Sequence, residues 1–222
     1  MAGLSLQDDG GIITVTFSRP ILTRAVLTEL GGALSVLATR DRPSPIVLAS
    51  AHPTIFLAGA NLAEIAELDA LSCIPYARLG RSVAAALSSH PAPVVAAVGG
   101  SCSGGGFDLV MAADTIVASP SAVFSHPGIR RGLVTGWGGT ESIARTLGGA
   151  TTRRALLEAS DLEAAHLERL GAIRCLAADP TAEARRAALE MARLDPRRVA
   201  LWRRLRGSNF VDRFRAFVVE KS

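Results

Sequence analysis

The residues best suited to chemistry lie in one stretch of the chain, VVAAVGGSCSGGGFDLVMAAD (94–114). An apolar run enters a loop with five glycines between Gly99 and Gly106, and an apolar helix pattern follows with Asp108 in its first turn. Glycines let a ligand approach the backbone closely, and the start of a helix presents unpaired N–H groups. The stretch therefore offers donors for an anionic or polarised oxygen next to a single carboxylate.

Comparison with known sequence motifs excludes several kinds of oxygen-binding site. The loop lacks GxxxxGK[ST] and GxGxxG, the patterns of phosphate and dinucleotide sites, and it lacks the GxSxG turn of serine hydrolases. What remains is a set of N–H donors aimed at a neutral carbonyl that becomes an oxyanion. The alternative is a tight turn that serves close packing of a strand and a helix, and the glycines alone do not decide between the two.

A second glycine turn favours the chemical interpretation. FLAGANL (56–62) follows a predicted strand at 44–50, just as the glycine loop follows a predicted strand at 93–98. If these two strands are neighbours and parallel, both turns lie at the same edge of the sheet, where open α/β sheets bind ligands. Two backbone donors that converge there on one oxygen form an oxyanion hole.

The elements around these turns alternate between strands and helices. The apolar patterns predict an α/β domain with a mostly parallel, buried sheet. From about Asp179 only helix patterns remain, and they are rich in arginine, so we predict a core domain at 1–178 and a short C-terminal helical appendage at 179–222. The predicted strands lie at 11–18, 44–50 and 92–100, and the predicted helices at 27–39, 74–90, 105–113 and 138–149.

Composition sets the broad class of protein. The 222 residues are 49% hydrophobic but only 5% aromatic, which predicts a folded core of small aliphatic side chains. The net charge of +4 comes from arginine, since Lys221 is the only lysine, and the basic residues lack the interleaved aromatics of a nucleic-acid site. Cys73, Cys102 and Cys175 are too scattered for a disulfide framework or a zinc site. With no secretory signal and no apolar run of about 20 residues, we expect a cytoplasmic protein away from membranes.

These motifs together resemble the crotonase superfamily, which comprises enoyl-CoA hydratases, isomerases and their relatives. Each piece alone is a weak signal, whereas the combination, in family order and spacing, is specific. The motifs are FSRP (17–20), FLAGANL (56–62), PVVAAVGGSCSGGGFDLVMAAD (93–114), AVFSHPGIRRGLVTGWGGTESIARTLG (122–148) and LEAAHLERLGAI (162–173).

The resemblance implies a crotonase-like spiral of ββα units, assembled as a homotrimer or a dimer of trimers. It implies an acyl-CoA thioester as ligand, with coenzyme A as part of the substrate and no other cofactor or metal. By motif position, the N–H groups of Ala60 and Gly105 bind the thioester oxygen, and Ala58, Asn61 and Leu62 belong to the substrate-binding segment.

The family's two catalytic glutamates are not both kept. The first matches Asp108, a shorter carboxylate, and the second matches Gly128, which has no side chain. Hydration of a double bond needs one group that activates water and one that handles a second proton, whereas a double-bond shift needs a single shuttling base.

Other positions also depart from the family pattern. His126 could replace the missing base, although a strand pattern would turn its side chain away from the site. Trp137 stands where some relatives carry an acid, and we expect it to form a wall of the acyl pocket. Arg24 replaces a usual asparagine and could reach the phosphates of coenzyme A.

Two functions from different classes follow. One is an enzyme of the hydratase/isomerase type that works through a thioester enolate with Asp108 as acid/base. The other is a non-catalytic acyl-CoA-binding relative that keeps the oxyanion hole. Asp108 favours the first and Gly128 favours the second.

Overall fold

The computed structural model describes residues 3–205, so the part of the predicted appendage that carries Arg206, Arg213 and Arg215 lies outside it. Twelve strands in the described part form sheets of six, four and two strands. In chain order they are β1 (Leu4–Asp9), β2 (Ile12–Phe17), β3 (Ile21–Leu22), β4 (Ile46–Ser50), β5 (Ile55–Leu57), β6 (Gly59–Ala60), β7 (Val94–Val98), β8 (Ser101–Ser103), β9 (Thr115–Ala118), β10 (Val123–Ser125), β11 (Leu162–Glu163) and β12 (Cys175–Leu176).

The six-stranded sheet has the order β1-β2-β4-β7-β9-β12 and is parallel except for the β1–β2 hairpin. The prediction of a mostly parallel α/β sheet is confirmed, and so is the pairing of β4 with β7 as neighbours. Strand β1 was not predicted, because only Leu4 and Leu6 of its six residues are apolar, and five of the six residues are exposed. Its signal is the Gly10–Gly11 turn, where both residues have positive φ, as a two-residue hairpin requires.

The two smaller sheets carry the turns that follow β4 and β7. The four-stranded sheet has the order β11-β10-β8-β5, and β3 pairs with β6. Strand β8 begins directly after Gly100, where a Cβ would lie 2.1 Å from the carbonyl oxygen of Thr54. Only glycine allows this approach, which lets β8 pair with β5 and brings the two glycine turns together.

Eight α-helices and one 3₁₀ helix complete the described part. They are α1 (Arg24–Ala38), α2 (Leu62–Ala66), α3 (Cys73–Ser89), α4 (Gly105–Ala112), the 3₁₀ helix (Pro127–Arg131), α5 (Gly139–Leu156), α6 (Ala164–Arg169), α7 (Pro180–Ala192) and α8 (Pro196–Leu205). Helix α5 is interrupted at Gly148, where φ is +73° and ψ is 166°. Every residue of α4 from Gly106 to Ala112 is buried, so this helix lies inside the core with α3 and α5 against it.

Helices α7 and α8 fasten the C-terminal part to the sheet domain. Ala184, Ala187 and Ala188 of α7 pack on Val47 and Val95 in a second apolar cluster that covers the large sheet. On α8, the guanidinium of Arg203 forms a buried ion pair with Asp114 and donates to the carbonyl oxygen of Ala92. The boundary at residue 178 stays a prediction. Within residues 3–205, none of the helices is both long and apolar enough to cross a membrane.

Candidate active site

A cavity of about 560 Å³ opens where the two glycine turns meet. It brings together most of the residues that the sequence singled out, although they lie on four separate segments of the chain. The predicted site residues that line it are Ala58, Ala60, Leu62, Gly105, Asp108, His126, Gly128 and Trp137. Asn61 and Arg24 are not among the lining residues.

The two turns touch through their backbones. Gly59 has φ +95°, and a Cβ there would lie 2.9 Å from the carbonyl oxygen of Ser103 and 3.2 Å from the amide nitrogen of Gly105. The hydroxyl of Ser103 donates to the carbonyl oxygen of Ala58 at 3.0 Å, which ties the turns together. Because Gly59 has no side chain, the backbones of residues 60 and 105 can lie close together.

Helix α4 begins at this junction. Gly104 precedes it with φ +53° and ψ −128°, and no side chain caps the helix. The amide of Gly105 is the first of the helix, and such amides have no acceptor within the helix itself. The cavity therefore meets a helix start whose N–H groups favour partial negative charge.

Asp108 is buried, with only 3% of its surface exposed. Its Oδ2 accepts a hydrogen bond from the Thr135 hydroxyl at 2.5 Å. A Cβ on Gly139 would lie 1.9 Å from Oδ1, so the carboxylate rests on bare backbone at the start of α5. Burial, with the charge of Asp108 as a second cause, raises the pKa of the Cys102 thiol well above its ordinary value, so that thiol stays neutral.

The side chain of His126 faces Asp108. Its Nε2 lies 3.4 Å from Oδ1 of Asp108, and neither atom has a hydrogen-bond partner of good geometry in residues 3–205. The expectation that a strand pattern turns this side chain away is wrong, because β10 ends at Ser125 and His126 opens the 3₁₀ helix with φ −133° and ψ 73°. Strand alternation no longer applies at that point.

Gly128 lies next to the imidazole of His126. A Cβ on Gly128 would lie 3.5 Å from Nδ1 of His126 and 2.9 Å from the carbonyl oxygen of Leu133. The distance to the imidazole is an ordinary contact, whereas the distance to the Leu133 carbonyl oxygen is too short, so a side chain at position 128 would have to displace backbone. Gly128 and His126 therefore lie side by side in the wall of the cavity.

Trp137 forms a wall of the cavity, as its position suggested. The indole is buried and packs against the backbone of α3 at Gly80 and of α4 at Gly105. Its ring centroid lies 6.1 Å from that of Tyr76, another residue of the wall.

Arg24 and Asn61 stand behind the cavity wall. The exposed guanidinium of Arg24 lies over the ring of Tyr76, 5.3 Å from its centroid. The side chain of Asn61 caps α2 by accepting from the amide of Ala63 at 3.0 Å. The side chain of Asn61 therefore has a structural role, and direct contact of either residue with a ligand stays a prediction.

Thr135 and Tyr76 are among the lining residues that the sequence did not single out. Thr135 is a loop residue 27 positions after Asp108, and nothing local marks it as the partner of that carboxylate. Tyr76 lies on the buried side of α3, where one aromatic in an apolar helix pattern reads as core. Burial raises the pKa of the Tyr76 hydroxyl, which therefore stays protonated at neutral pH.

The fold and this junction of glycine turns define a class of protein, and comparison with known families agrees. The chain belongs to the enoyl-CoA hydratase/isomerase family, because the family model of that description matches residues 7–201. The predicted crotonase-like α/β fold is confirmed by the solved structures that resemble it.

Three similar proteins illustrate the relationship. A short-chain-enoyl-CoA hydratase of Clostridium acetobutylicum is 28% identical over 172 residues, which cover 76% of this chain and 66% of the relative. A crotonyl-CoA hydratase of Syntrophomonas wolfei is 30% identical over 174 residues, with the same two coverages. The solved enoyl-CoA hydratase of Mycobacterium smegmatis is 25% identical, with a TM-score of 0.88 over 98% of this chain and 88% of that one.

The matches to curated relatives are partial in length. The aligned part covers between 50% and 66% of those proteins. Family and fold follow from these matches, whereas reaction and substrate have to be argued from the residues of this chain.

Proposed function

We propose that this protein binds an acyl-CoA thioester and catalyses hydration or double-bond isomerisation of an enoyl group through a thioester enolate. One observation carries the proposal. A buried carboxylate, Asp108, lines the same cavity as Ala60 and Gly105, whose backbones are brought together by the contact of Gly59 with Gly105. The cavity thus combines backbone donors with a proton-transfer group, which is what enolate chemistry requires.

The backbone donors would act on the thioester oxygen. Negative charge develops on that oxygen when a proton leaves Cα or a nucleophile adds at Cβ. The amides of Ala60 and Gly105 would donate to it, and one donor of this kind is worth roughly 3–4 kcal/mol of transition-state stabilisation. Since the donors belong to the backbone, ordinary side-chain substitutions leave them in place.

Asp108 and His126 would share the proton transfers. The hydrogen bond from Thr135 fixes Oδ2, which leaves Oδ1 facing His126 and the cavity. Hydration needs two groups, and Gly128 cannot supply the second. The imidazole of His126 lies 3.4 Å from Asp108 and lines the same cavity, so it can accept and donate a proton there in place of the absent carboxylate.

A second candidate function rests on Gly128. Without a side chain at that position, the family's second carboxylate is missing, and a protein that binds acyl-CoA without turning it over would tolerate the loss. The buried contact between Asp108 and His126 favours the enzyme instead, because two titratable groups facing each other without good hydrogen bonds are costly to keep in a mere binding site.

Binding of coenzyme A and assembly belong to the same proposal. Arg24 is exposed beside Tyr76 at the cavity wall, where its guanidinium could pair with a phosphate of coenzyme A. A homotrimer or a dimer of trimers remains a prediction from the family resemblance, and a cytoplasmic location remains a prediction from the sequence.

The test uses the wild-type protein and three ligands. Hydration of crotonyl-CoA and isomerisation of a 3-enoyl-CoA are followed spectrophotometrically, and binding of butyryl-CoA is measured by calorimetry. Turnover of either enoyl thioester supports the enzyme. Binding of butyryl-CoA without turnover supports the non-catalytic candidate for these substrates, and absence of binding contradicts both.

His126 should matter more for hydration than for isomerisation. We expect His126→Gln to lower kcat for hydration by about 10²-fold, the lower end of what general acid–base catalysis contributes, because water addition needs a second group. The double-bond shift should fall far less, because one shuttling carboxylate suffices for it. The measurement is the ratio of the two rates in one preparation.

The matched control is His166→Gln, which changes a histidine on α6 outside the cavity. It should leave the ratio unchanged. If His126→Gln lowers both rates equally, His126 serves packing around Gly128 and takes no part in proton transfer.

A further inference from the structure

Trp137 separates two cavities. A second cavity of about 610 Å³ lies between α3, α4, α5 and α8, and the residues that line both cavities are Asp108 and Trp137. Its lining combines apolar Ala84, Met111 and Ala112 with charged side chains on the surrounding helices, which are Arg81, Glu141, Arg145 and Arg203. The two spaces therefore lie on opposite sides of one indole and one carboxylate.

The indole is held by two glycines. A Cβ on Gly80 of α3 would lie 2.2 Å from its Cε2 and Nε1, and a Cβ on Gly105 of α4 would lie 2.1 Å from its Cζ3. Any side chain at either position would collide with the ring, so both helices have bare backbone where the indole rests. Trp137 is only 6% exposed, and its side chain fills the space between these two glycines.

The contact between the indole of Trp137 and Gly105 places the ring close to the atoms that would react. In the proposed function, on which this inference rests, the amide of Gly105 binds the thioester oxygen. The acyl chain begins at that carbonyl carbon and passes Asp108, and the ring that touches Gly105 also lines the cavity there. The indole is therefore the large side chain that lies against both the Gly105 amide and the cavity beside Asp108, where it can stop a chain that continues past its reacting carbons.

We propose that Trp137 is the end wall of the acyl pocket, that it limits the substrate to short acyl chains, and that it closes off a latent site for longer chains in the second cavity. The apolar residues Ala84, Met111 and Ala112 would then receive the alkyl tail once the indole is removed. The wall is a built feature, because it depends on glycine at both Gly80 and Gly105.

The experiment compares Trp137→Ala and Trp137→Phe with wild type on 2-enoyl-CoA substrates of four, eight and twelve carbons, together with binding of the saturated thioesters of the same lengths. One methylene in an apolar pocket changes kcat/KM by about 10-fold or more. We expect wild type to prefer four carbons, and Trp137→Ala to raise the ratio of the eight-carbon to the four-carbon kcat/KM by at least about 10-fold. The same ratio for Trp137→Phe should lie between the values for wild type and Trp137→Ala.

Trp202→Ala is the matched control, since Trp202 is the other tryptophan of the chain and lines neither cavity. It should leave the preference for chain length unchanged.

If Trp137→Ala and Trp137→Phe both bind the saturated thioesters with the wild-type length preference, or if wild type already accepts twelve carbons as well as four, the inference is overturned while the proposed function stands. If wild type binds no thioester of any length, the proposed function fails first and the inference fails with it. Melting temperatures of the variants identify any that do not fold, and Trp137→Phe then decides the question.

Discussion

Asp108→Asn should abolish most of the turnover and leave binding nearly intact. Asparagine keeps the shape of the side chain and can still accept from the Thr135 hydroxyl, but it cannot take up a proton from water or from Cα. General acid–base catalysis contributes about 10²–10⁴-fold, and Asp108 carries most of it in the proposed mechanism, so we expect kcat to fall by that factor. Affinity for butyryl-CoA should change by less than about 5-fold, because the backbone donors are untouched.

The control for this substitution is Asp161→Asn, which makes the same exchange at an exposed carboxylate outside the cavity. Its kcat should match wild type. If Asp108→Asn hydrates crotonyl-CoA at a rate close to that of wild type, Asp108 is not the acid/base and its place in the first turn of α4 is a matter of helix electrostatics.

The framework of the site was predictable because local backbone chemistry determines it. Buried strands β4 and β7 have continuous apolar sequences, and each is followed by a glycine turn. In a parallel sheet, neighbouring strands carry their following turns to one edge, so the two glycine turns could be placed together from their order in the chain. The choice of Ala60 and Gly105 within those turns came from the family resemblance. The same logic located Asp108 in the first turn of α4.

The contacts across the cavity were not predictable in this way. Thr135 reaches Asp108 only because the loop before α5 folds over α4, and no periodicity reports where a loop lies. His126 was misjudged since alternation was extended one residue past the end of β10. Strands of two or three residues, such as β6 and β8, give too short a pattern to recognise.

Packing against a distant element explains the remaining differences. The chain from about Asp179 on was predicted to be helical, but only the structure reveals that Ala184, Ala187 and Ala188 of α7 cover the large sheet. The same holds for Gly80, which in the sequence is only a residue of low helix propensity within α3. The structure reveals that the indole of Trp137 packs against it. Such glycines acquire their meaning from a partner far away in sequence.

Gly59→Ala tests the junction of the two glycine turns and should also lower kcat strongly. The new Cβ would lie 2.9 Å from the carbonyl oxygen of Ser103 and 3.2 Å from the amide nitrogen of Gly105, in a residue with φ +95°. The turns have to separate to relieve this crowding, which moves the amides of Ala60 and Gly105 away from a common oxygen. We expect kcat to fall by about 10²–10³-fold, the usual cost of one lost oxyanion donor.

Backbone strain alone could lower stability and imitate this result, so the control has to carry strain without crowding. Gly171→Ala does so, because Gly171 has φ +74°, nothing within 4 Å of its added Cβ, and a place after α6 outside the cavity. Both variants should lose roughly 1–3 kcal/mol of unfolding free energy in denaturant titrations. Only Gly59→Ala should lose kcat, since only there does the new methyl group press on a donor. Equal kcat in the two variants would mean that residues 60 and 105 do not grip a common oxygen, and the enolate mechanism would lose its electrostatic basis.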